Sequence, residues 1–481
     1  MRVGRNNKVT ILGITAIIGL ILSALLLGGY YMAAYASDYL TITAVGDIMM
    51  GTTYPKDILP PNDGKDIFAK VQKYFKESDI VFGNLEGPLI DGGKPVKCRK
   101  KSQNCYEFRT PTRYVDYLKE AGFNVMNIAN NHSWDFGLAG VESTVKTLRS
   151  ADIEATGGDI ITNLDINDKQ IAVVGFSFSL SPYSYSIFDL SKAESIVRKL
   201  KGENDIVIVS FHGAAEGKTA AHICEGDEIF LGESRGNVIK FSRAVIDAGA
   251  DMVIGHGPHV LRAIEVYKGK LIAYSLGNFL TYGMFNIKGP SGISVILKAK
   301  IDADTGDFIE GSLLPVKLLN KGIPEIDINN EAIKIIQALT EKDIKESQVK
   351  IAGNGAMLPA EKGQKGDRFI YGTDSSKSEG WTINIDGSNL KKLADNASSP
   401  KWTSIQRITF ISPSLAKTVV LIIIALTGIP LILGMALITR KAVKAVISKK
   451  KPAPKCIFCT QCGSKNSPDA SFCTNCGQRL R

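Results

Sequence analysis

The chain has 481 residues, 44% hydrophobic and 22% charged, with 58 Lys and Arg, 48 Asp and Glu and only five His. That hydrophobic share excludes an intrinsically disordered polymer, and the length allows more than one folded domain. The net charge of +10 does not mark a nucleic-acid binder: thirteen bases and one acid lie in residues 1–8 and 440–481, leaving 45 bases against 47 acids between.

The first apolar run, VTILGITAIIGLILSALLLGG at 9–29, is long enough to cross a bilayer and follows Arg2, Arg5 and Lys8. Residues 9–35 are therefore expected to be an N-terminal transmembrane anchor. The alternative is a cleaved signal peptide, for which Ala34-Tyr35-Ala36 offers a site. From 40 to about 320, short apolar runs alternate with helix-like stretches: YLTITAV, DIVFG, FNVMNIA, QIAVVGFSF, DIVIVSF, DMVIG and KLIAYSL. Runs this continuous read as strands buried on both faces, which predicts an α/β domain with a largely parallel sheet. TPTRYVDYLKEAGF and NVIKFSRAVIDAGA carry helical spacing and end at glycine, and 321–349 reads as a closing helix. The domain is placed at 40–349.

Residues 350–414 turn polar and glycine-rich. Part of this stretch resembles a single blade of a TolB-type propeller, and it is read as a small β-rich stalk. A second apolar span follows at 415–439, with Lys417 its only ionisable group, and then a basic linker at 440–455. The positive flanks predict a cell-membrane protein with 37–414 outside and both ends cytoplasmic. The cysteines divide accordingly: Cys98 and Cys105 share a short loop on the outer side, Cys224 is separate, and five crowd into 456–481. There CTQCGSKNSPDASFCTNCG spaces Cys459, Cys462, Cys473 and Cys476 for closed tetrahedral coordination of a structural zinc. The stretch resembles a zinc ribbon, with a cytoplasmic protein as its expected partner.

Polar groups follow directly on the strand candidates: Asp47, Asn84 and Glu86, then Asn130, Asn131, His132 and Asp135, then His212 and Glu216, His256 and His259, and Asn278. In a parallel sheet these positions share the carboxyl edge, where open α/β proteins bind ligands. Four of the five histidines fall on this edge, and imidazole with carboxylate and amide oxygen suits a divalent transition metal such as Mn, Zn or Fe.

AVGDIMMG, GNLEGPL, NIANNHSWDFG, SFHGAAE, GHGPHV and YSLGNF stand in the order seen in the CapA family of capsule and poly-γ-glutamate synthesis proteins, which is similar to the calcineurin-like metallophosphatases. The resemblance covers about 40–320 and implies a four-layer α/β/β/α sandwich with a dinuclear metal centre. It implies Asp47, Glu86, Asn131, His212, His256 and His259 as metal ligands. His132, with Asp135 beside it, is implied as the acid that protonates a leaving group. Asn84, Asn130, Glu216 and Asn278 are expected to orient the ligands by hydrogen bonds. Met49 stands where metallophosphatases carry a further histidine. The expected activity is metal-assisted hydrolysis of a phosphodiester or other anionic envelope polymer precursor. The competing expectation is a non-catalytic polymer-binding or assembly factor for a synthase.

Overall fold

The computed structural model describes residues 39–98, 105–179, 181 and 184–360, together with the backbone of short strands at 368–373, 379–384, 391–392, 457–458 and 465–466. The two apolar spans and the four ribbon cysteines lie outside these residues. Among the described residues, no helix is long and apolar enough to cross a membrane.

The chain opens with β1 (Tyr39–Met49), β2 (Ile80–Leu85), α1 (Val115–Ala121), β3 (Val125–Asn127), α2 (Gly137–Ser150) and β4 (Glu154–Thr156). It continues through β5 (Thr162–Ile166), β6 (Lys169–Ser177), β7 (Tyr185–Ser186), α3 (Leu190–Glu203) and β8 (Ile206–His212). A hairpin of β9 (Glu228–Phe230) and β10 (Glu233–Gly236) precedes α4 (Val238–Asp247), β11 (Met252–His256), β12 (Ile264–Tyr267) and β13 (Lys270–Ala273). The last part comprises β14 (Asn278–Thr281), β15 (Ile293–Asp302), β16 (Phe308–Leu319), β17 (Ile323–Ile326), α5 (Glu331–Asp343), β18 (Val349–Ile351) and β19 (Ala356–Pro359).

Two mixed sheets result. The first runs β18-β19-β16-β15-β1-β2-β3-β4, with β14 also on β1 and β17 on β16; the second runs β12-β13-β11-β8-β6-β5, with β7 on β6. Each has a parallel centre and antiparallel flanks: β1 to β4 and β14 are parallel in the first, and β13, β11, β8 and β6 in the second. The expectation of a largely parallel sheet is thus corrected. The short turn between β15 and β16 makes a hairpin, and hairpin strands run antiparallel.

Alternation along the strands makes the layers. Ile206 and Ile208 of β8 join Ile42 of β1, Phe82 of β2 and Ile254 of β11 in a core between the sheets. Val207 and Val209 point the other way, onto Val197 of α3 and Phe241 of α4. Val81 and Met126 pack with Leu118 of α1 and Val141 of α2 outside the first sheet. Residues with side-chain period two therefore serve two cores at once. α4 starts where Asn237 Oδ1 accepts from Lys240 N at 3.0 Å, and its chain reverses at Gly249, whose φ is 118°.

The predicted closing helix at 321–349 is shorter, since β17 precedes α5 and β18 begins at Val349. The first sheet runs past residue 349 to Pro359, because β18 pairs with β19 and β19 with β16. Beyond it, in a separate compact unit, strands Arg368–Thr373, Glu379–Asn384 and Lys391–Lys392 form a small antiparallel sheet of their own.

Candidate metal centre

Strand register brings the polar residues together. On the first sheet Asn278, Asp47, Asn84 and Asn127 are paired neighbours across β14, β1, β2 and β3. On the second, Ser177, His212 and His256 are paired across β6, β8 and β11. The two rows meet at the carboxyl edge. Asp47 Oδ2 lies 3.0 Å from His259 Nδ1, and Asp47 Oδ1 lies 3.4 Å from His256 Nδ1. Glu86 Oε1 lies 3.5 Å from His259 Nε2 and 3.9 Å from His212 Nε2. Asp47, Glu86 and His259 offer ligand atoms all within 4.8 Å of one another.

Backbone that few side chains tolerate sets this geometry. A Cβ on Gly46 would sit 1.8 Å from Gly277 O, so β1 runs directly against the turn before β14. Gly257 has φ 108° and His259 φ 57°, which turns the histidine loop back over Asp47.

Asn84 holds the ligands in place. Its Nδ2 donates to Asp47 Oδ1 at 2.8 Å and lies 3.3 Å from His212 Nδ1, while its Oδ1 accepts from Asn127 Nδ2 at 2.8 Å and Asn130 Nδ2 at 3.1 Å. Asn130 also donates to Leu85 O at 2.8 Å, fixing the turn that carries Asn131 and His132. What remains is a set of buried polar atoms with no hydrogen-bond partner among the described residues: both Glu86 oxygens, Asn131 Oδ1, His212 Nε2 and both His256 nitrogens. Buried acceptors left open in such number need explanation, and divalent metal fits this donor set.

The charges agree. Burial would raise Asp47, but the His259 hydrogen bond and the nearby charge of His256 and His259 outweigh it and hold the carboxyl far below the usual range. Burial drives Glu86 well above its ordinary value against the pull of His259, with Asp47 and Glu216 adding to the rise. Burial would lower His259, yet Glu86 and Asp47 carry it up to about 10. Burial pushes His212 well below its ordinary value. The metal-free site therefore shares at least one proton between imidazole and carboxylate, and a cation would displace it.

Beside this cluster His132 Nδ1 lies 2.8 Å from Asp135 Oδ2, and Phe108 stacks on its ring at 4.2 Å. Burial, with Lys97 nearby, lowers the His132 pKa despite the opposing charge of Asp135. A neutral imidazole whose Nδ1–H is held by a carboxylate can accept a proton at Nε2 and, once charged, return it.

Residues 41–282, just over half of the chain, match the family described as bacterial capsule synthesis protein PGA_cap. The chain belongs to this family. Residues 458–480 match a zinc-ribbon domain, as the cysteine spacing implies. The capsule biosynthesis protein CapA of Bacillus anthracis is 33% identical over 267 residues, which is 51% of this chain and 60% of that one. The PGA biosynthesis protein CapA of Bacillus subtilis (strain 168) is 30% identical over 262 residues, 51% of this chain and 64% of its own. The chain thus spans less than two thirds of these relatives' length. A phosphatase of known structure from Mycoplasma pneumoniae overlays at 14% identity and TM-score 0.38, over 62% of this chain and 97% of its own, a likeness too slight to bear on chemistry.

Within the PGA_cap domain the remaining expected residues differ in position. Asn278 Nδ2 donates to Ser291 O at 3.0 Å and to His259 O at 3.4 Å, steadying the histidine loop. Glu216 ion-pairs with Arg235 and reaches Glu86 and His259 through its charge. Met49 Sδ accepts from Gly51 N at 3.3 Å. The fifth histidine, His222, pairs with Asp343 at 2.8 Å, away from this cluster. Sequence reasoning passes over Lys97, Phe108, Asn127 and Arg235. Of these only Asn127 carries a signal, being an amide in a strand that is otherwise apolar.

Proposed function

We propose that this PGA_cap protein is a membrane-anchored, outward-facing metal-dependent hydrolase of the phosphoesterase type. It would act on an anionic polymer or precursor in capsule, poly-γ-glutamate or other cell-envelope synthesis. The observation that carries this reading is the convergence of Asp47, Glu86 and His259, with buried atoms of Glu86, Asn131, His212 and His256 that lack a hydrogen-bond partner among the described residues, beside a histidine–carboxylate pair. Asp47, Glu86, Asn131, His212, His256 and His259 would hold the metal, which when bound supplies charge neutralisation and an acidified water. Asn84 keeps Asp47 and His212 oriented. His132, its Nδ1–H engaged by Asp135, would take up a second proton from solvent at Nε2, the carboxylate stabilising the resulting imidazolium, and pass that proton to the departing oxygen. The CapA relatives' names supply the polymer class, and the apolar spans with their basic flanks supply the topology.

A second reading, a non-catalytic assembly factor, is favoured by Met49: its thioether is engaged by backbone where a further ligand would stand. The test is direct. Purified full-length protein is assayed for bound transition metal and for hydrolysis of a generic phosphodiester, alongside Asp47→Ala and His259→Ala. Turnover that both substitutions abolish excludes the assembly reading; inert protein under all metals excludes the hydrolase. Protease digestion of intact cells, cleaving the domain and sparing the ribbon, tests the orientation.

A further inference from the structure

Between β2 and α1, residues Glu86–Cys98 and Cys105–Thr110 form two arms that contain no named strand or helix, only the bridge of Leu89 to Thr110. Segments of this kind inside a compact domain are usually functional. Both arms reach the histidine–carboxylate pair. Val96 N donates to Asp135 O at 2.8 Å, and Lys97 Nζ lies 3.2 Å from Asp135 Oδ1 and 3.2 Å from His132 Nδ1. From the other arm, Phe108 N donates to Asp135 Oδ2 at 2.7 Å and its ring covers His132. Asp135 is fully buried, and among the described residues its Oδ1 has no hydrogen-bond partner besides this ion pair with Lys97. Cys98 and Cys105 are joined as a disulfide, and Cys98 N also donates to Glu107 Oε1 at 2.8 Å. Leu89, Phe108 and Thr110 anchor the roots of the arms in the core, and Ile90 N donates to Thr110 O at 2.9 Å, whereas Val96 and Tyr106 near the disulfide are about half exposed.

We propose that the Cys98–Cys105 disulfide is a brace that holds Lys97 and Phe108 against His132 and Asp135, with Lys97 a positioning residue for proton transfer. The proposal rests on the hydrolase reading above. Asp135 engaging Nδ1 fixes which tautomer His132 adopts and leaves Nε2 as the atom that exchanges a proton. Lys97 and Phe108 each fix one oxygen of that carboxylate, and the disulfide ties them together as a sheet ladder does elsewhere.

The test uses the full chain, with Cys98→Ser/Cys105→Ser and Lys97→Met as perturbations and Lys97→Arg as rescue. Wild type treated with a dithiol serves as a check that does not depend on folding of the variants. Metal content should be unchanged. Hydrolysis of an alkyl phosphodiester, whose leaving group needs a proton, should fall by about 10-fold or more, while a p-nitrophenyl ester, which needs none, should change by less than about 2-fold. Equal losses on both esters, or no loss on either, overturn the brace. If the wild type cleaves neither ester, the hydrolase reading fails separately, and the ring ¹⁵N signals of His132 decide the brace. A changed tautomer balance in the variants supports it, and unchanged signals end it.

Discussion

Loading metal into the site should expel protons, and the amount follows from His259. The Glu86 and Asp47 carboxylates raise its pKa from 6.5 to about 10, so at pH 7 the metal-free imidazole is charged and its ring cannot ligate. Removing that proton at pH 7 spans roughly three units, or about 4 kcal/mol at 1.36 kcal/mol per unit. Apparent affinity should rise about tenfold for each unit that pH climbs toward 10. Calorimetric titration with Mn²⁺, a poor match for the ribbon thiolates, in two buffers of different ionisation enthalpy reads the number directly. We expect about one proton released per site at pH 7 and close to none in His259→Gln. Release below half a proton, or an unchanged count in that variant, refutes the electrostatic argument. The stability sign follows: His259 is raised in the folded state, so its stabilising contribution is complete below about pH 6.5 and disappears as pH climbs through about 10. Metal-free protein should therefore melt progressively lower over that window, while Mn²⁺-loaded protein should not.

Three further outcomes are expected. Asn84→Asp keeps the bonds accepted from Asn127 and Asn130 but turns a donor toward Asp47 into a buried like charge; urea unfolding of the metal-free protein should show about 3 kcal/mol lost, partly recovered with Mn²⁺. Gly257→Ala forces a Cβ to 2.7 Å from Gly213 O at φ 108° and should lose about 2 kcal/mol or more, with Mn²⁺ binding weakened because His256 and His259 flank it. His132→Gln should cut alkyl phosphodiester turnover by about 10²- to 10⁴-fold at unchanged metal content; a tenfold drop in metal content instead would make His132 a ligand.

All seven apolar runs form strands, and because those at the sheet centres are parallel, the polar residues that follow them had to meet at one edge. What escaped the sequence has particular causes. β15 to β19 pair antiparallel: β15 and β16 are not among the seven runs, β17 falls in the stretch read as helix at 321–349, and β19 in the stretch read as a stalk. Lys97 and Phe108 sit in arms without periodicity and are defined only by what they touch. Asn127 stands within the run FNVMNIA and is visible as part of the site only once register puts it beside Asn84. Arg235 approaches from a hairpin whose pairing with Glu216 joins residues 19 apart across a turn-rich segment.

Asp47 lies in β1 of the first sheet and His259, 212 positions away, in the loop that follows β11 of the second. A chain stalled with either half assembled would own Asp47 and Glu86 without His212, His256 and His259, or the reverse, and should not retain an ion. Cation capture therefore distinguishes finished molecules from unfinished ones, and the occupied fraction of a preparation reports how completely its two halves have joined.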